Sequence, residues 1–480
     1  MDNDHDPNYN LFPSPPDTDL DFSFTTTTSS TSARTSLARS SLTLSFNESR
    51  LSSSTATIQH SRPHRNSDPN WSAINAATTL SSDGSLHLRH LKLIRHLGTG
   101  NLGRVFLCRL RDSDFATFAL KVVDKDALSA KKLSHVQMEA DILSTLDHPF
   151  LPTLYAHLEV SHYSCFLIDY CSGGDLHSLL RRQIQHKLPL ESVRFFAAEV
   201  LVALEYLHAL GVVYRDLKPE NVLLREDGHI MLSDFDLCFK SDVTPRLDRR
   251  SKPGSTRTRT RTTRSPRFSN CFGSGSPKRV KRKVVITEFV AEPTAAYSKS
   301  CVGTHEYLAP EIVTSAGHSN GVDWWAFGVF IYELLYGTTP FKGANKEATL
   351  FNIVSKTQVK FPDDDVVYSD ANDLISRLLV KSPRRRLGAE KGAVEIKRHP
   401  FFEGIKWPLI RNYRPPSEVR GMMRKSGGGQ VKQMAMSPRR RWWWWKGLFC
   451  YLLKNKGSKR NSNNGNYHYS YNNNSSKASK

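Results

Sequence analysis

The stretch Tyr214-Arg215-Asp216-Leu217-Lys218-Pro219-Glu220-Asn221, followed by Ser233-Asp234-Phe235-Asp236, decides the reading of this chain. It places a carboxylate, a lysine and an asparagine within six residues, and a second carboxylate 13 positions after the asparagine. Phosphoryl transfer from a nucleotide needs such a set: one acid to orient a hydroxyl, an acid and an amide for metal, and a cation for the moving phosphoryl group.

Upstream lies a glycine-rich turn, Gly98-Thr99-Gly100-Asn101-Leu102-Gly103-Arg104-Val105. The apolar runs Leu91–Leu97 and Val105–Leu110 flank it and read as a hairpin. Missing side chains let backbone N–H groups approach phosphate oxygens closely. Alone, the pattern also fits a dinucleotide fingerprint or a plain hairpin turn. A dinucleotide fold needs a helix after the glycines, and here a strand follows. Phe118-Ala119-Leu120-Lys121 then supplies a third strand carrying a lysine. In isolation that lysine reads as a snorkelling edge residue; after a glycine loop it reads as a phosphate ligand.

Leu128–Leu146 reads as a helix that ends before His148-Pro149. Phe166–Tyr170 reads as a strand broken by Gly173-Gly174. Beyond it the chain turns helical. Glu191–Leu210 repeats apolar residues at three- and four-residue spacing (Val193, Phe196, Val200, Leu204, Leu207) and stops at Gly211. Further helical patterns cover Asp323–Tyr336, Glu347–Lys356 and Ala371–Val380. A small mostly-β part before a larger mostly-α part predicts an α+β chain with two lobes of one catalytic unit.

Gly98–Val105, Phe118–Lys121, Tyr214–Asn221, Asp234–Asp236, Ala309-Pro310-Glu311 and Asp323–Gly328 together resemble a eukaryotic Ser/Thr protein kinase, over roughly residues 91–402. Pro149-Phe150-Leu151, Gly303-Thr304-His305-Glu306-Tyr307-Leu308 and Asp323-Trp324-Trp325 resemble the AGC group more narrowly. Asp236, where most kinases have glycine, and a basic insertion before the activation segment resemble the plant AGC subgroup that includes the PINOID and WAG kinases.

The resemblance implies a bilobal fold, with a small lobe over 91–170 and a large lobe over 171–402. It implies ATP and Mg²⁺ as cofactors, with Leu97, Gly98, Thr99, Gly100, Asn101, Leu102, Gly103 and Val105 over the nucleotide. Lys121 would hold the phosphates and pair with Glu139, Asp216 would orient the substrate hydroxyl, and Lys218 would stabilise the transferring group. Asn221 and Asp234 would hold metal, Cys171 would meet adenine with Ile168 behind it, and Asp175 would reach the ribose. Asp175, Glu220 and Glu333 match positions that bind arginines ahead of the target residue, which implies a basophilic kinase. Thr304 matches the threonine of Ser/Thr kinases. Ser300 matches the activation-loop phosphosite, addressed by an upstream kinase and gripped by His135 and Arg215. Glu311 and Arg386 match a buried structural ion pair.

Tyr214 replaces the usual histidine, which the AGC group commonly does. Asp236 is the larger departure, because glycine reaches φ > 0 freely and aspartate only with strain. An ATP-binding scaffold without catalysis is therefore the alternative.

Length alone would allow two or three domains in 480 residues, but composition argues for fewer. Residues 1–85 are rich in Ser, Thr, Asn, Asp and Pro, which predicts a disordered leader. Their acidic start argues against a secretory signal, and no run of about 18 apolar residues predicts a spanning helix. The seven cysteines (Cys108, Cys165, Cys171, Cys238, Cys271, Cys301, Cys450) include no Cys-x-x-Cys pair; they argue against a disulfide framework or zinc site and fit a reducing compartment.

The net charge of +21 is uneven: residues 241–290 carry +11, residues 421–480 carry +13, and the rest carry −3. The Ser-, Arg- and Thr-rich stretch at about 241–290 reads as a disordered insertion, and Arg257–Ser265 within it offers sites to a basophilic kinase. Residues 403–480 read as an AGC-type extension ending in a basic tail. In that tail Arg439-Arg440-Arg441 precedes Trp442–Trp445, a pairing of cations and interfacial aromatics that points to an anionic lipid surface. The cytoplasmic face of the plasma membrane and the cytoplasm are the expected location. Lys278–Lys283 also reads as a nuclear import signal. A sequence-specific nucleic-acid protein would leave the kinase constellation unexplained. A monomer is expected, and the chain end lacks the Phe-x-x-Phe motif with which many AGC kinases occupy their own small lobe. The resemblance further implies auxin efflux carriers as substrates.

Overall fold

The computed structural model describes residues 68–253 and 283–427, apart from positions 82, 114, 294, 356–357 and 363–365. The Arg-Thr stretch at 257–264, residues 278–282 and the Trp-rich tail lie outside the described residues.

The small lobe is an antiparallel sheet of five strands: β1 (Leu91–Thr99), β2 (Arg104–Leu110), β3 (Thr117–Asp124), β4 (Leu154–Glu159) and β5 (Tyr163–Asp169), in the order β1-β2-β3-β5-β4. The glycine turn joins β1 to β2, with Gly98 opposite Val105. Gly103 is required there, because a Cβ would lie 2.3 Å from the Val122 carbonyl oxygen. Register sets Lys121 opposite Val105 on one side and Phe166 on the other, in the middle of the sheet.

One structured element falls inside the leader expected to be disordered up to residue 85. Helix α1 (Pro69–Thr79) is capped by Asp68, which accepts from Asn70 N–H at 2.9 Å, and has proline in its first turn. It docks on the sheet: Ile74 is buried, Trp71 meets Tyr155 at 5.3 Å, and the Tyr155 hydroxyl donates to Asp68 at 2.6 Å. The burial of a few apolar side chains against Tyr155 outweighs the helix's polar composition.

Helix α2 (Ala130–Thr145) crosses the other face, its first turn capped by Ser129 accepting from Lys132 N–H. The large lobe begins with α3 (Leu176–Arg181) and α4 (Leu190–Ala209). Gly211 ends α4 at φ +78°, where a Cβ would sit 1.9 Å from the Ser241 carbonyl oxygen. Short strand pairs follow: β6 (Val212–Val213) with β9 (Phe239–Lys240), and β7 (Val222–Leu224) with β8 (Ile230–Leu232). They frame the loops that carry Asp216 and Asp234.

The insertion also corrects its expectation. Its two ends form β10 (Arg246–Pro253) and β11 (Lys283–Val290), paired antiparallel from Arg246 opposite Val290 to Pro253 opposite Lys283. Asp248 reaches Lys391 at 3.0 Å, Arg246 donates to the Glu390 carbonyl at 2.8 Å, and Arg398 pairs with Glu288, so the ribbon is seated on the large lobe.

After α5 (Pro310–Val313) comes α6 (Gly321–Tyr336), in which every residue from Val322 to Tyr336 is buried. A helix apolar all round belongs in the middle of a core, and α6 is the axis of the large lobe. It packs on α8 (Ser369–Leu378) and α4; α7 (Lys346–Ser355), α9 (Ala393–Ile396) and α10 (Ser417–Gly427) complete the lobe, α9 against α4 and α10 against α3. Packing continues past residue 402: Ile410 and Val419 are buried, and Arg411 meets Asp227 at 2.6 Å. Among the described residues no helix is long and apolar enough to cross a membrane.

Candidate active site

The site lies where the two lobes meet. From the small lobe, β3 presents Lys121 and α2 presents Glu139. The Lys121 ammonium donates to both Glu139 oxygens, at 2.6 and 2.8 Å, and reaches Asp234 at 3.2 Å. Burial opposes the charge on Lys121, but the carboxylates of Glu139 and Asp234 overcome it and hold the ammonium above its ordinary range.

From the large lobe, the loop after β6 presents Asp216, Lys218 and Asn221. Asp216 is buried and its Oδ2 accepts from Lys218 Nζ at 2.6 Å and Asn221 Nδ2 at 2.9 Å. The Thr304 hydroxyl joins the cluster, 3.2 Å from Asp216 Oδ1 and 2.9 Å from Lys218 Nζ. Because the Asn221 amide nitrogen is spent on Asp216, its Oδ1 is the atom left to hold a cation. With the Asp234 carboxylate it makes the hard-oxygen donor set that Mg²⁺ favours. The bare backbone of the glycine turn, closed by Gly100 N–H donating to the Gly103 carbonyl at 2.9 Å, fits a phosphate chain above it.

Asp236 is not strained. Its φ is not positive; the left-handed residues around it are Asp234 at φ 59° and Arg215 at φ 66°. Its carboxylate instead accepts from Asn101 Nδ2, at the tip of the glycine turn, at 3.0 Å. The Asn101 Oδ1 faces Lys132 on α2 at 3.5 Å. One carboxamide thus links the glycine turn, α2 and the metal loop. Burial, followed by the neighbouring Asp234 charge, raises the pKa of Asp236 above the usual carboxylate value.

Cys171, with its thiol pushed up to about 12 by burial, lies on Met231 at 3.7 Å, and Ile168 is half-buried two residues before the lobe junction. Leu97 and Val105 are half-buried around the cleft, Thr99 is exposed, and Leu102 turns inward and is buried. Asp175 is already committed as the cap of α3, accepting from Ser178 N–H at 2.6 Å and from its hydroxyl at 2.8 Å.

In the substrate region Glu333 is buried and accepts from the Tyr307 hydroxyl at 2.5 Å, while Glu220 is exposed and faces His177 at 3.3 Å. Burial raises the pKa of Glu333. At the activation loop, Arg215 donates to Ser300 Oγ at 2.5 Å and to Ser298 Oγ at 3.3 Å. His135 is half-buried on α2, one turn before Glu139.

Sequence reasoning passed over His208 and Glu292. The His208 ring is buried between two carboxylates, Glu292 at 2.7 Å and Asp323 at 2.8 Å. Asp323 accepts in turn from the N–H groups of Tyr214 (2.8 Å) and Arg215 (2.7 Å). Only the three-dimensional fold joins these residues; Glu292 stands 84 positions from His208.

Two lobes with this cluster between them define a protein kinase. The protein kinase domain family matches residues 91–262 and 285–402, and the chain belongs to that family. It is similar to the serine/threonine-protein kinases WAG1 and WAG2 of Arabidopsis thaliana. Identity to WAG1 is 63% over 405 residues, covering 82% of this chain and 83% of the relative. Identity to WAG2 is 60% over 437 residues, covering 89% and 90%. Protein kinase PVPK-1 of Phaseolus vulgaris is 44% identical over 414 residues, covering 81% of this chain and 67% of the relative. The chain is a plant AGC-type Ser/Thr protein kinase, an enzyme, and membership implies ATP and a divalent metal.

Proposed function

We propose that this kinase transfers the γ-phosphate of ATP, with Mg²⁺ at Asn221 and Asp234, to serine or threonine preceded by arginine. The observation that carries the reading is the joint clasp of Asp216 by Lys218, Asn221 and Thr304. The Asp216 carboxylate is held in one rotamer by these donors, ready to accept a hydrogen bond from the substrate hydroxyl and orient it. Lys218 lies beside that acid, where it would neutralise charge developing on the moving phosphoryl group. Lys121, fixed by Glu139, would hold the phosphates. Asn221 and Asp234 would hold the metal, which would supply charge neutralisation at the phosphates.

Glu220 and Glu333 would pair with substrate guanidinium groups. Phosphorylation of Ser300 by an upstream kinase would strengthen its contact with Arg215, which neighbours Asp216. The enzyme would act as a monomer on the cytoplasmic face of the plasma membrane, held by anionic lipid. Support for this comes from the basic segments, and from Leu247 and Phe289, which face each other across the β10–β11 ribbon and are exposed. By its resemblance to the WAG and PINOID kinases, its substrates would be auxin efflux carriers and its role the control of polar auxin transport. A nuclear fraction through Lys278–Lys283 is a second reading, on the basic run alone.

The test is radiolabelled transfer from ATP-Mg²⁺ to an Arg-rich serine peptide. Asp216→Asn and Asp234→Asn should each abolish it. Glu333→Gln should raise KM for that peptide and leave KM for ATP unchanged. Equal rates on peptides with and without arginine would remove the basophilic reading, and no binding to acidic vesicles would remove the membrane one.

A further inference from the structure

The activation segment of this kinase is interrupted by the insertion, and the insertion must return the chain to the catalytic core in register. Its return strand β11 ends at Val290, and two residues later Glu292 enters the large lobe, where it is buried. Four groups surround its carboxylate. His208 Nδ1 lies 2.7 Å and Asn320 Nδ2 2.8 Å from Oε2, and Ala393 N–H lies 3.2 Å from Oε1. At Gly392, with φ +56°, a Cβ would fall 1.6 Å from Oε1, so the missing side chain is the space the carboxylate occupies.

From Glu292 the contacts run to the catalytic loop without a gap. His208 bonds Asp323, and Asp323 holds the N–H groups of Tyr214 and Arg215, immediately ahead of Asp216. Arg215 sits in the left-handed region, a conformation that persists only where its surroundings enforce it. The ribbon and Glu292 also share a seat. Asp248, Arg246 and Glu288 rest on Lys391, Glu390 and Arg398, and Glu292 rests on the residues between them, Gly392 and Ala393.

We propose that Glu292 is a positioning residue for phosphoryl transfer: through His208 and Asp323 it fixes the backbone ahead of Asp216, and it makes the seating of the insertion ribbon part of the catalytic geometry. Whatever engages the insertion would then act on turnover without touching the nucleotide or the substrate groove.

The His208 ring is faced by Glu292 from the end of the insertion and Asp323 from α6, with the edge of Trp324 on a third side at 4.7 Å between centroids. Burial works against a charged ring, but these two acids overcome it and carry its pKa up to about 10. Removing one acid lowers that value, so a variant at Glu292 would lose the ring's charge at lower pH.

The experiment uses the full chain with ATP-Mg²⁺ and the Arg-rich serine peptide, the wild type serving as reference so that failure of the peptide as a substrate shows separately. Glu292→Gln should lower kcat about tenfold or more, with both KM values within about twofold, the mark of an interaction felt in the transition state. Its alkaline fall in kcat should begin at lower pH than in the wild type. Gly392→Ala, which displaces the carboxylate without altering it, should show the same split. A folded Glu292→Gln with unchanged kcat and pH profile overturns the proposal. If that variant does not fold, Gly392→Ala and the ribbon variant Asp248→Ala with Lys391→Ala decide. A fall in kcat at constant KM in these supports the proposal, and wild-type turnover in both overturns it.

Discussion

Two buried ion pairs join distant parts of this chain, and they differ in what is left over once each pair is made. Glu311 and Arg386 meet in the large lobe at 2.7 and 2.9 Å, with side chains 5% and 1% exposed. Arg386 spends its other donors on the carbonyls of Gly321 at 2.7 Å, Val380 at 3.1 Å and Lys381 at 3.5 Å. Lys121 and Glu139 are nearly as buried, at 9% and 3%, and as close. Here, however, the lysine is shared with Asp234, a residue proposed to hold metal, at 3.2 Å. A network in which every donor is satisfied by fixed groups has one state. A cation shared between a helix acid and a metal acid has two partners to divide itself between, so its geometry depends on what fills the cleft. The first arrangement supports the fold and the second supports the reaction.

The largest expected effect breaks the first pair. Arg386→Ala leaves the Glu311 charge buried and takes a donor from the carbonyls of Gly321, Val380 and Lys381, and should cost about 3–5 kcal/mol of folding stability. Urea unfolding measures it, and a loss under about 1 kcal/mol would show that the pair does not anchor the lobe. Turnover of the fraction still folded should stay near wild type.

The second pair should respond in the opposite sense. Lys121→Met should lower kcat/KM by about 10²–10³-fold, the scale seen when one preorganised donor to developing charge is removed. Its loss of stability should be well below that of Arg386→Ala, because Lys121 donates to the side chains of Glu139 and Asp234, whereas Arg386 also satisfies backbone carbonyls of the large lobe. Equal stability losses in the two variants would erase the distinction.

A third buried cation-side group sharpens the comparison by pH. His318 is buried near Arg215, and burial followed by the Arg215 charge lowers its pKa to about 4. A histidine whose folded pKa lies below its unfolded value of about 6.5 adds stability above that value and loses it as pH falls toward 4. Between pH 6.5 and 4 the wild type should therefore lose about 2–3 kcal/mol more than His318→Gln. Parallel stability–pH curves for the two proteins would remove His318 as the cause.

Much of this was legible in the chain. The hairpin around the glycines, the lysine strand and the long helices fell within a few residues of their expected ends, because hydrophobic period and glycine or proline stops are local signals. Strand β4 was missed. Both of its faces are buried, so Leu154-Tyr155-Ala156-His157 shows no alternation, and His157 is accommodated by Ser164 at 2.7 Å, Glu159 at 3.0 Å and stacking on Phe166. Helix α1 and the β10–β11 ribbon were hidden by polar or basic composition, since their stability comes from partners far along the sequence. The residues gathered in the candidate site were legible as a spaced pattern. The His208–Glu292 contact was not, because nothing near either residue encodes the other.

The smallest expected effect concerns the contact that belongs to neither kind of pair. Asn101 and Asp236 meet at 3.0 Å, joining the glycine turn to the loop that carries Asp234. A single hydrogen bond of this sort is worth about 0.5–1.5 kcal/mol net. If it holds the turn down over the nucleotide, Asp236→Gly and Asn101→Ala should each weaken ATP binding by about two- to tenfold, and the double variant should be no weaker than either alone. Calorimetric binding of ATP to the four proteins gives the coupling directly. Additive losses would mean that the two side chains act separately. Tighter binding in Asp236→Gly would mean that the carboxylate's main effect is repulsion of the phosphates, and that the contact with Asn101 is how the fold contains it.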